Sequence, residues 1–178
     1  MPVTSDIVRT WRAPRVVMRD LLAQGRREDR AIAYLMTACI LILIAQLPRL
    51  RREAFLRDTM PTVMTQEQLE TFADGWSAFD QNLAYAVLAW IMIWPLFLYM
   101  LAGVTHALAK LVGGQGDGYG ARLALFWSML ASVPFLLLHG LTAGLIGPGL
   151  QTDLVGAVWV ATFGYIWFQT LREAEKKR

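Results

Sequence analysis

"LAYAVLAWIMIWPLFLYMLAGVTHALA", residues 83–109, carries no Asp, Glu, Lys or Arg along its whole length. About 20 apolar residues in a helix span the hydrocarbon of a bilayer, so this stretch reads as a transmembrane helix with length to spare. Its surplus predicts tilt or extension beyond the bilayer. Pro95 at its middle removes a backbone donor and predicts a kink.

Three further runs have the same character. Between Arg30 and Arg49 lie 18 residues without a formal charge, between Arg122 and Asp153 there are 30, and between Asp153 and Arg172 there are 18. The 178-residue chain is 56% hydrophobic and 17% charged, against about 25% charged in soluble domains. The expectation is an all-α polytopic bundle with spans at about 31–48, 83–109, 123–145 and 154–171. A fifth or re-entrant piece near Gly144 to Gln151 is the alternative within the longest run. The remaining parts are a basic arm over 1–30, an outer loop over 49–82 and a basic tail over 173–178.

Basic residues set the expected orientation. The arm, the turn between spans two and three, and the tail together with the adjoining Arg172 hold 13 of the 17 Lys and Arg. Such residues collect on the cytoplasmic side, which predicts that both termini are cytoplasmic. Arg49, Arg51 and Arg52 at the exit of span one dissent, although their stems can snorkel to the headgroups. The first apolar run begins after 30 residues with no small-x-small site behind it, so no cleavable signal is expected. The lone cysteine, Cys39, lies in that run and reads as a packing residue.

The arm contains "RAPRVVMRDLLAQG". Pro14 suits a first helical position, Gly25 suits a stop, and Val17, Met18, Leu21 and Leu22 gather on one side. With Arg12, Arg15 and Arg19 around the axis, this predicts an amphipathic helix lying in the membrane surface, apolar face in lipid and arginines on anionic headgroups. Docking of the same helix on the protein's own loops is the alternative. In the outer loop, Leu69, Phe72, Trp76, Phe79 and Leu83 recur at helical spacing behind Thr65 and Gln68, which fit a capping box, and this predicts a second amphipathic helix docked on the bundle rim.

The turn "VGGQGDGYGAR", residues 112–122, places five glycines in eight positions and contains G-x-G-x-x-A from Gly116 to Ala121. A phosphate cradle needs a strand before such a loop and a helix after it. Here a membrane helix precedes it, so it reads as a turn. Span three carries Pro134 and the pair Gly140 and Gly144, whose G-x-x-x-G spacing lets another helix approach closely, in the bundle or in a dimer.

His106 and His139 are the intramembrane polar candidates. They belong near opposite faces of the membrane, because the two helices run in opposite directions, which disfavours a haem shared between them. The charge-free runs hold no carboxylate for a proton relay, and there is no zinc pattern, no hydrolase motif and no nucleic-acid strip. No enzyme activity and no cofactor are expected.

"THALAKLVGG", the glycine turn and "GYGARLALFWSMLASVPFLLL", with its proline deep in the span, resemble the Yip domain family over about residues 84 to 170. The resemblance implies a helical membrane bundle with a cytoplasmic N-terminus, of five spans in most members, and in eukaryotic members a role in membrane traffic beside Ypt/Rab GTPases. Abundant arginine and short loops suggest a bacterial inner-membrane member, to which the GTPase role does not carry over. The expected function is a scaffold or accessory subunit that binds lipids and another membrane protein or its own copy, with no nucleic acid. A small-molecule transporter or channel component is the alternative.

Overall fold

A computed structural model of the protein describes residues 3–59 and 77–176. Six helices account for nearly all of them, and no strand occurs among the described residues. Two short helices, α1 (Val3–Arg12) and α2 (Pro14–Ala23), are followed by the long α3 (Glu28–Thr59). The fourth, α4, joins Ala78–Val87, a π-helical stretch Leu88–Ile93 and Trp94–Leu111. The last two are α5 (Gly118–Leu145) and α6 (Leu150–Ala174). Four of the six, α3 to α6, are long and apolar enough to cross a membrane.

Local chemistry explains the boundaries. Pro14 occupies the first turn of α2, where its missing N–H costs nothing, and Gly25 takes the positive φ that ends it. Ser77 and Asp80 form a reciprocal capping box that starts α4. Asp117 caps α5 by accepting from the Gly120 N–H at 2.9 Å. Between α5 and α6 the chain turns within a few residues at Gly147, so the longest uncharged run holds one full span and the approach to the next, with no further span between them.

The proline expected to kink span two is absorbed in a different way. Just before Pro95 the helix widens into the π-helical stretch, and the Trp94 N–H reaches back five residues to the Ala89 carbonyl. A π-bulge places a proline by shifting the hydrogen-bond register around its missing donor.

The centre of the bundle is α5. Leu123, Ala124, Leu125, Phe126 and Trp127 are all fully buried, and burial continues to Val133. A helix that is apolar all round belongs inside, and α3, α4, α6 and the arm surround this one. By contrast, among its described side chains α4 buries only Ala86, Leu98 and Ala102 and presents Met92 (68% exposed) and Leu96 (73%) outward. Leu154, Val158, Val160 and Phe168 of α6 are likewise exposed. Outward-facing apolar surface of this kind suits lipid rather than water.

Candidate functional site

Three features singled out by the sequence are brought into contact with the bundle, and the arm departs most from expectation. It is a helical hairpin in which Arg9 of α1 pairs with Asp20 of α2 at 2.9 Å. Val17, Met18 and Leu21 are buried in the protein's own core, with Leu22 half-buried against it. The apolar face predicted to enter lipid is therefore covered by the bundle.

The arginines follow the same logic. Arg15 donates to Gln169 Oε1 at 2.5 and 2.8 Å, and Arg19 meets Glu173 at 3.0 Å. Both partners lie on α6, four residues apart like the arginines themselves. Arg12 remains exposed. Further in, Trp127 donates to Thr10 Oγ1 at 3.0 Å and Trp11 donates to the Ala131 carbonyl at 2.9 Å while its ring meets Phe135 edge-on. Ala131 lies about 20 Å along α5 at 1.5 Å per residue, so the hairpin runs up the bundle instead of lying flat across its end.

Gly140 and Gly144 face α3. A Cβ at Gly140 would strike the Ala45 carbonyl, and one at Gly144 would lie 2.7 Å from the Pro48 carbonyl carbon. The helix backbones approach this closely because no side chain intervenes. The opposing surface includes Pro48, a proline inside α3 that the sequence reading passed over. Pro134 is the corresponding proline within α5. A polar contact also holds α5 to α6, where the Ser128 and Thr170 hydroxyls meet at 2.9 Å, one donating to the other while the accepting hydroxyl gives its own proton to a carbonyl of its helix.

The glycine turn closes the end of the bundle where α3 and α5 begin. Glu175, just past α6, accepts from the Gly116 N–H at 3.2 Å, sits 2.8 Å from His106 Nδ1 of α4, and takes the Gln115 N–H on its carbonyl at 2.9 Å. Nearby, Arg122 pairs with Glu28, and Tyr119 donates to the Arg27 carbonyl at 3.3 Å. His139 lies at the other end, against the Thr152 carbonyl at 3.2 Å. The two histidines thus have separate local partners. No group of three or more His, Cys, Asp or Glu that could hold a metal occurs among the described residues.

Of the predicted outer helix, Phe79 and Leu83 belong to the first turns of α4, and the Arg51 guanidinium lies over the Phe79 ring at 5.1 Å from its centroid. Leu69, Phe72, Trp76 and the capping pair Thr65 and Gln68 lie outside the described residues.

A solidly packed central helix, four apolar spans and a closed polar end define a multi-pass helical membrane protein. The sequence matches the Yip1 domain over residues 8–178, and the chain belongs to that family. No curated protein and no solved structure matches it.

Proposed function

We propose that this protein is a non-enzymatic scaffold or accessory subunit of the inner membrane that binds another membrane protein, with both termini in the cytoplasm. The reading rests on the contrast between α5 and α4. From Ala121 to Val133 every residue of α5 but Arg122 is buried, so among the described residues the middle of the bundle is filled by packed side chains, which speaks against a transporter or channel. On α4, Met92, Leu96 and Met100 form an exposed apolar flank on a helix that buries few of its residues against its own protein. Such a flank offers a partner helix extensive packing without disturbing the core.

Photocrosslinking from position 96 of the full-length protein in native membranes tests this reading. The expected product is one discrete adduct with a membrane protein, absent when the crosslinker is placed at the buried Leu98. Adducts to lipid alone would overturn it.

A further inference from the structure

At the end of the bundle opposite the glycine turn, a cavity of about 360 Å³ opens between α3, the end of α5 and the start of α6. Its polar wall consists of Arg49, Arg52, Glu53, His139, Thr152 and Asp153, with the Thr152 hydroxyl already donating to the Gly147 carbonyl. Arg49 and Glu53 are already paired at 2.7 Å. The other charges are not joined to each other.

Arg52 makes no ion pair among the described residues. Its Nη1 reaches the Gly144 and Leu145 carbonyls at 3.4 and 3.3 Å, and its buried Nε has no partner. Asp153, in the first turn of α6, is exposed and likewise makes no ion pair among the described residues. The partner of His139 Nδ1 is a carbonyl, which only accepts, so Nδ1 is the donor there and the neutral imidazole offers Nε2 as an acceptor. Among the described residues, one cavity thus holds a guanidinium without a carboxylate and, not paired with it, a carboxylate and an imidazole nitrogen able to accept.

These groups suit a ligand that bears both an anion and a hydrogen-bonding cation. Arg52 and Asp153 also bound charge-free runs, or lie within a turn of their ends, which is the level at which lipid headgroups meet a membrane protein. Leu56, Ala143 and Pro148 supply an apolar wall beside the charges. A purely anionic ligand would face Glu53 and Asp153, and a choline has no N–H to donate.

We propose that this cavity binds a phosphoethanolamine group, with the phosphate at Arg52 and Arg49 and the primary ammonium at Asp153 and His139 Nε2. Arginine recognises phosphate through several aligned donors, and the ammonium supplies the donors that the carboxylate and imidazole require. The group comes either from phosphatidylethanolamine or from a water-soluble phosphoethanolamine ester.

The test uses full-length protein in mild detergent, with retention of added compounds followed by native mass spectrometry. Two matched pairs are compared: phosphatidylethanolamine against phosphatidylcholine, and glycerophosphoethanolamine against glycerophosphocholine. The ethanolamine form should be favoured on the order of tenfold in at least one pair, the worth of a charged hydrogen bond, and the pair showing it identifies the source. Asp153→Asn, at an exposed position, should bring that ratio close to one without changing the melting temperature. Arg52→Gln should weaken ethanolamine and choline forms alike. Equal retention in both pairs, or an unchanged ratio in Asp153→Asn, would overturn the proposal.

Discussion

Replacing Gly140 by alanine adds one methyl group at the contact between α3 and α5, and the structure fixes what that methyl would meet. Its Cβ would lie 2.7 Å from the Ala45 carbonyl carbon and 3.3 Å from its Cα. Carbon atoms pack at about 3.5–4.0 Å, so the helices must separate by on the order of 1 Å. The obstacle is backbone, which cannot rotate aside. Overpacking of this kind costs about 1–3 kcal/mol, whereas Gly→Ala in an unobstructed helix gains about 0.8–1 kcal/mol. The expected net effect is a loss of up to about 2 kcal/mol. Gly103 on α4 and Gly164 on α6 supply the control, because a Cβ at either meets nothing within 4 Å, and alanine there should stabilise by up to about 1 kcal/mol. Gly144→Ala should behave like Gly140→Ala, since its Cβ would meet Pro48. In the double variant the losses should be less than additive, because the separation forced by one methyl makes room for the other. Unfolding in mixed detergent micelles, read by tryptophan fluorescence, measures the five variants against the parent protein. If Gly140→Ala is as stable as Gly103→Ala, α3 does not rest on α5 through this glycine pair and the packing argument is wrong.

Three other perturbations probe different parts of the molecule. Met18→Ala should destabilise by about 2–4 kcal/mol because the side chain is wholly buried, whereas Val16→Ala on the exposed side of α2 should stay within about 0.5 kcal/mol; equal effects in the same unfolding assay would place α2 off the bundle. Glu175→Ala removes the acceptor for the Gly116 N–H and the partner of His106, so limited proteolysis should cut within residues 112–117 faster than in the parent protein, and an unchanged rate would refute the clamp. In a Cys39→Ser background, a membrane-impermeant maleimide applied from outside should modify Leu150→Cys and spare Val112→Cys, both positions being exposed at opposite ends of the bundle; the reverse pattern would invert the proposed orientation.

The spans were legible because the absence of charge over 18 or more residues is a local property that hydrocarbon alone demands. What each apolar stripe touches is not local. Val17, Met18 and Leu21 have the same spacing whether they enter lipid or a protein core, and only the fold decides between them. A signal for the docked arm was nevertheless present, since Arg15 and Arg19 repeat the spacing of Gln169 and Glu173, as two helices running side by side in parallel require. Pro95 was readable as a disturbance but not in its form, because the choice between a kink and a π-bulge depends on how α4 packs. Pro48 escaped notice for the converse reason: its importance comes from facing Gly144, a residue nearly one hundred positions away.

The glycine turn shows why a motif is weaker than its surroundings. In a nucleotide site, glycines free backbone N–H groups to face a phosphate. Here one such N–H, that of Gly116, faces a carboxylate of the same chain, Glu175. The glycines answer separate steric demands: Gly113 takes a φ of +92° to leave α4, while a Cβ at Gly116 would collide with the Ala174 carbonyl. Each demand comes from the end of α6, some sixty residues further along the chain, or from the turn out of α4. The glycine density of the turn thus records how tightly the end of α6 and its Glu175 press against it. With Glu175 also against His106, the ends of α4 and α6 and the start of α5 form one connected unit. Loss of the Glu175 side chain should therefore loosen α4 as well as the turn, so the proteolysis of Glu175→Ala should be accompanied by faster hydrogen exchange in the last turns of α4.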